Sequence, residues 1–247
     1  MNFNSAIGMI SSIALFVPVL LILAFRLFTN RSFLALAIYY LIVCIETLMK
    51  YNVINVSKSM YQSLGIIDNF LDAPLLLLFL MFFSPSQLMR KRITVCMFAF
   101  IGFEAIILAI YGFSVRSVKI ILGPDIAVIL TISFMFFPRY VRLAITNSKS
   151  LGKAVMISSI LLSYSIFSLV YIFYYLVRTT QYHDDALLIY YLITIISALL
   201  MSIGILIEKK RIKKLDELKN TRKELATIYG EKEVAVLDKD SRFLSPE

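Results

Sequence analysis

The chain has 247 residues, 60% of them hydrophobic, a mean hydropathy of +0.83 and a formal net charge of +9. Soluble domains are roughly 45–50% apolar, so this is the composition of a membrane protein. The positive charge needs no nucleic acid, because basic loops and tails beside a bilayer meet anionic headgroups. A single histidine, His183, excludes a histidine-based metal centre.

A helix that crosses a bilayer takes about 20 mostly apolar residues. Seven segments meet that length: Ala6–Phe28, Phe33–Met49, Leu64–Phe83, Ile93–Tyr111, Ile120–Phe137, Ala154–Val177 and Ala186–Ile207. The first lacks a basic leader and a small-residue cleavage site, and so reads as a retained helix rather than a signal peptide. The expected fold is an all-α integral membrane bundle of seven transmembrane helices over residues 1–207. A charged tail, 208–247, follows and is expected to be helical to about residue 229.

Lysine and arginine set the orientation. One set of loops carries Arg26, Arg31, Arg90, Lys91, Arg92, Arg139, Arg142, Lys149 and Lys153, and the basic tail joins it. The other carries Lys50, Lys58, Arg116, Lys119 and Arg178. The N-terminus is therefore expected outside and the C-terminus in the cytoplasm, in a multi-pass protein of the cell membrane. Cys44 and Cys96 fall toward opposite ends of their segments, too far apart in depth for a disulfide.

The second segment contains Glu46, four residues before Lys50, a spacing that suits an interfacial salt bridge. The third is the most informative. Asp68 and Asp72 are four residues apart, on one helix face, and Pro74 follows, where a missing backbone donor marks a possible hinge. A charge near mid-membrane costs at least ~2.5 kcal/mol on insertion scales, so such residues usually face a cavity or a partner. At 1.5 Å per residue, Asp68 lies about 6 Å and Asp72 about 12 Å below the outer end. Glu104 in the fourth segment lies about 10 Å below its own outer end. Asp125 in the fifth follows Gly123-Pro124, a pattern that starts helices, with an acid favoured in the first turn.

All five acids belong to the outer half, and no lysine or arginine lies well inside a span. Two close carboxylates without a basic partner cannot both be ionised cheaply. They share a proton, bind a cation or cationic ligand, or line a watery vestibule. Asp68, Asp72 and Glu104 are therefore the candidate ligand, proton or cation site, with Glu46 and Asp125 as further members. His183-Asp184-Asp185, in the last outer loop, is a weak metal-like cluster best read as solvated loop.

The run Asp68-Asn69-Phe70-Leu71-Asp72-Ala73-Pro74-Leu75-Leu76-Leu77-Leu78 resembles the third helix of the microbial rhodopsins, where a counterion aspartate precedes a Pro-Leu-rich run. Asp68 matches the primary counterion, and Asp72 a position where pumps often carry threonine. Phe79 stands where proton pumps place a proton donor, and Gly65 where an arginine usually completes the counterion cluster. Ser197-Ala198-Leu199 resembles the family's Ser-Ala-Lys segment, so Leu199 marks the missing Schiff-base lysine; Ile195 replaces the second counterion. On the sixth segment Tyr164 matches one member of the aromatic pocket, whereas Ser165 and Ser168 replace the expected proline and tryptophan. The chain has no tryptophan. The resemblance implies a lysine-less, rhodopsin-like bundle without covalent retinal; it leaves a non-covalent retinoid or carotenoid open.

The tail begins Glu208-Lys209-Lys210-Arg211-Ile212-Lys213-Lys214. Leu218 and Leu225 share a heptad position, Leu215 precedes them, and Arg222 interrupts the companion seam. Gly230 follows as a helix terminator. Val234–Leu237 and Phe243-Leu244 are apolar islands able to bind a partner. No enzymatic motif is present. The expected function is a sensory or receptor-type protein that signals through residues 208–247 to a cytoplasmic protein. The alternative is a proton- or cation-conducting carrier or channel using the same acids. Against it, Leu75–Phe83 is an almost unbroken apolar run. Homo-oligomer formation is left open.

Overall fold

A computed structural model describes residues 3–50, 54–84, 86–146, 150–173 and 183–229. It contains seven long helices and, among the described residues, no strand. They are α1 (Phe3–Ala24), α2 (Arg31–Lys50), α3 (Lys58–Phe83), α4 (Gln87–Tyr111), α5 (Val115–Thr146), α6 (Leu151–Tyr171) and α7 (His183–Tyr229). All seven are long and apolar enough to cross a membrane. Helices dominate because an apolar run far from water must satisfy its backbone polar groups within itself.

Local chemistry punctuates the helices. Arg26 takes a left-handed conformation (φ 53°) that closes α1, and a short 3₁₀ turn, Leu27–Thr29, leads to α2. The Ser57 hydroxyl accepts from the Met60 N–H at 3.2 Å and caps α3. Gly112, with φ 67°, ends α4 in a conformation that side chains rarely adopt, and its N–H closes on Leu108 O at 2.8 Å.

Helix neighbours form a closed circuit: α1 packs on α2, α2 on α3, α3 on α5, α5 on α6, α6 on α7 and α7 on α1. Helix α4 lies outside this ring, against α3 and α5. The odd helices begin at one end of the bundle, here the N-face; the even helices begin at the other, the C-face, from which α7 extends.

The C-face half is filled with side chains. Leu76, Leu77, Phe79 and Leu80 of α3 meet Ile129 and Phe136 of α5, Met156 and Ile157 of α6, and Met201 and Ile205 of α7, all within one apolar cluster. The rings of Phe79 and Phe83 are 4.6 Å apart, and the Tyr140 hydroxyl donates to Phe83 O at 2.5 Å. Helices α6 and α7 touch through glycine. A Cβ on Gly152 would lie 2.8 Å from Glu208 N and 3.0 Å from Gly204 O. Glu208, expected in a solvated tail, is instead buried, and its Oε1 accepts from Arg211 Nε (2.8 Å) and Nη2 (2.5 Å).

Several helices outrun their apolar segments. Helix α5 gains residues at both ends and α7 absorbs the helical part of the tail without a break. His183–Asp185, read as loop, open α7; their side chains lie outside the described residues. Both cysteines are free thiols.

Candidate functional site

The N-face half holds a cavity of about 400 Å³ lined by every helix except α4. Helix α3 directs Asp68, Asn69 and Asp72 into it, one face of the helix as the four-residue spacing requires. Helix α2 adds Tyr39, Tyr40, Glu46 and Thr47, and α1 adds Ser11 and Ser12. Helix α6 contributes Ser163, Tyr164, Phe167 and Tyr171, and α7 contributes Tyr190, Tyr191, Thr194 and Ser197. With Tyr61, seven tyrosines and three carboxylates line the space, and among the described residues no lysine, arginine or histidine does.

Asp72 is the best supported of the acids. The Tyr164 hydroxyl lies 2.7 Å from both Oδ1 and Oδ2, reaching across the bundle from α6 to α3. Tyr39 interacts with the same carboxyl. Asp68 faces Glu46 rather than a cation. Gly65 makes that approach possible, because a Cβ there would stand 3.3 Å from Glu46 Oε1. Among the described residues no lysine or arginine pairs with Glu46, Asp68 or Asp72. The salt bridge expected from Glu46 to Lys50 involves a side chain outside the described residues.

Behind Asp72 lies a second layer. Asp125 is 0% exposed and its carboxyl faces those of Asp72 and Glu104, a hydrogen bond to Asp72 requiring one of the two acids to carry a proton. Glu104 is also buried, with Oε1 unpartnered. Neither lines the cavity. The helix-start explanation of Asp125 is overturned: α5 begins at Val115, so Asp125 sits in the helix interior. Gly123-Pro124 is a packing feature, since a Cβ on Gly123 would stand 3.0 Å from Tyr171 Oη, and that hydroxyl donates to Lys119 O at 3.3 Å. Helix α3 likewise continues through Pro74 to Phe83.

The small polar side chains have an asymmetry of their own. Ser12 donates to Gly8 O (2.8 Å), Thr47 to Val43 O (2.7 Å), Thr194 to Tyr190 O (2.8 Å) and Asn69 Nδ2 to Gly65 O (2.6 Å). Each of these bonds is made within its own helix, which leaves hydroxyl lone pairs and the second N–H of Asn69 for the cavity. The lining therefore combines hydroxyl and carboxyl groups with aromatic faces.

Leu199 does not belong to this site. It is 49% exposed on the outer surface of α7, whereas Thr194, Ser197, Ala198 and Met201 are buried. The inward stripe recurs every three to four residues, and Leu199 is out of phase with it. Ser197 reaches the cavity instead. The tyrosines were the larger omission from the sequence reading. Their signal was the adjacent pairs Tyr39-Tyr40 and Tyr190-Tyr191 and the stripe Tyr164, Phe167, Tyr171, the last at helical spacing. The Phe167 and Tyr190 rings stack at 5.1 Å, which joins α6 to α7 at the cavity wall.

Among the described residues, no three acids or cysteines converge into a group able to hold a metal ion. No protein-family model, curated protein or solved structure matches the chain.

Proposed function

We propose that this protein is a multi-pass membrane receptor that binds an organic cation from outside and signals through α7 to a cytoplasmic partner. The observation that carries the reading is the cavity lining: three carboxylates, seven tyrosines and, among the described residues, no basic side chain. Aromatic faces and carboxylates together attract a cation that also has apolar surface. A volume near 400 Å³ falls within the range that encloses small molecules, and is far larger than one inorganic ion needs. The Asp68–Glu46 pair is the anionic anchor, because Asp72 is already held by Tyr164.

The basic loops and rod gather at the C-face, which supports placing that face in the cytoplasm. Helix α7 supports the signalling half of the proposal. It lines the cavity with Tyr190, Tyr191, Thr194 and Ser197, then runs unbroken to Tyr229. A shift at the cavity wall is carried by one rigid element to the far side of the bundle. A carrier or channel needs a polar route through the C-face half, where Leu76, Leu77, Phe79 and Phe136 are wholly buried in apolar packing.

The test uses the full chain in lipid nanodiscs. Choline and phenethylamine are titrated beside 3,3-dimethyl-1-butanol, a neutral analogue of choline. The amines bind, the alcohol does not, and Asp68→Asn and Glu46→Gln each weaken binding at least tenfold. Equal binding of the neutral analogue overturns the cation reading. Cation flux in liposomes that Asp72→Asn abolishes would establish the carrier in its place.

A further inference from the structure

Beyond Ile207, α7 continues for 22 residues to Tyr229, about 33 Å at helical rise. This rod is not uniformly polar. Leu215, Leu218 and Leu225 are 48%, 50% and 39% exposed. Residues 215, 218, 222 and 225 alternate by three and four, the spacing of a coiled-coil seam. Arg222 occupies the one polar position in it. Lys214 and Lys219 flank the seam on its two sides. The acids Asp216, Glu217 and Glu224 all fall on the opposite face, where Glu217 already pairs with Lys213 at 3.8 Å.

The rod thus presents a leucine stripe bordered only by positive charge. We propose that residues 214–225 are the docking surface for an acidic amphipathic helix of a cytoplasmic partner protein. Its apolar residues would pack on Leu215, Leu218 and Leu225, and its flanking carboxylates would pair with Lys214 and Lys219. Charge decides this occupant over a second copy of the chain. Two copies in one membrane present their rods in parallel. That register sets Arg222 against Arg222 and Lys214 against the other copy's Lys219, so like charges oppose along the seam. The direction of the rod decides against the bilayer surface. Leu215 lies about 12 Å beyond Ile207 on a continuous helix, and no bend returns the stripe to the headgroups.

The inference rests on the receptor reading for its orientation and deepens it by naming the partner's chemistry. The experiment needs no ligand, so its failure is separable from failure of the cavity assay. The full-length protein in nanodiscs is titrated with two fluorescent designed helices. They share a leucine seam and carry either glutamate or lysine at the flanking positions. The acidic helix binds at least tenfold more tightly, and its affinity falls steeply with salt. Leu218→Ala weakens binding about tenfold. The triple reversal Lys214→Glu, Lys219→Glu, Arg222→Glu inverts the preference toward the basic helix, which shows that the altered rod is still folded. Equal binding of both helices overturns the proposal. So does close pairing of rods between protomers, read by spin labels placed at Asn220→Cys. Loss of acidic-helix binding when anionic lipid is added, with the label becoming membrane-immersed, overturns it in favour of the bilayer.

Discussion

The two halves of the bundle are built from the same helices and solve opposite problems. In the C-face half, α3, α5, α6 and α7 interdigitate large apolar side chains, and α6 touches α7 backbone to backbone at Gly152 and Gly204. In the N-face half the same four helices, together with α1 and α2, hold apart a cavity of about 400 Å³ whose carboxylates pair with no lysine or arginine among the described residues. The first arrangement maximises dispersion contacts. The second gives up stability to keep polar groups pointing at a common space. In the proposed receptor the work divides accordingly: the C-face half fixes the bundle, and the N-face half takes the ligand.

The comparison breaks if the C-face half tolerates truncation. Phe79 is wholly buried and its ring lies 4.6 Å from that of Phe83. Phe79→Ala is expected to cost about 3–5 kcal/mol, the usual range for a buried phenylalanine, measured as loss of thermal stability in detergent. The next effect comes from the helix crossing. A methyl on Gly152 meets backbone atoms of Gly204 and Glu208 rather than a side chain able to swing away. Gly152→Ala therefore costs about 2–3 kcal/mol as overpacking. Gly204→Ala is expected to cost a similar amount, because a Cβ there meets Cγ of the fully buried Met156 at 2.5 Å and backbone atoms of Gly152 and Met156 at 3.1 Å.

At the N-face, Tyr164→Phe tests the one strong polar tie between α3 and α6. It removes the donor 2.7 Å from both Asp72 oxygens while keeping the ring. Asp72 keeps its interaction with Tyr39, so losing one donor is expected to cost about 1 kcal/mol, again read by thermal unfolding. Binding of phenethylamine is expected to change in the same variant, whereas Gly152→Ala at the far end leaves it within twofold.

These contrasts also explain what the sequence made legible. Seven spans were visible because a bilayer imposes long apolar runs, and their ends were not, because charged helix formers continue a helix past the apolar band. Lys58–Ser63 on α3 and Arg139–Thr146 on α5 were missed for that reason. Asp68 and Asp72 stood out as carboxylates in apolar surroundings. The tyrosines did not, since tyrosine is common in such segments and only the helix neighbours show which of them converge. Glu208 was hidden likewise, because its burial depends on Gly152 of another helix. Leu199 was read by similarity to a motif, and the phase of α7 turns that position outward.

Asp125→Asn gives the smallest expected change and the most informative sign. Asp125 is fully buried, and the groups facing it, Asp72 and Glu104, are also acids. Burial of such a carboxyl opposes folding, so an amide of the same shape is expected to be neutral or to stabilise by up to about 1 kcal/mol. Thermal unfolding with and without phenethylamine separates the two consequences. If Asp125 serves the cavity through Asp72, the variant melts at the same or higher temperature yet gains less from the ligand than the wild type. A loss of stability larger than about 1 kcal/mol would mean that Asp125 is a structural member of the bundle. The division between a half that holds and a half that responds would then fail at its deepest residue.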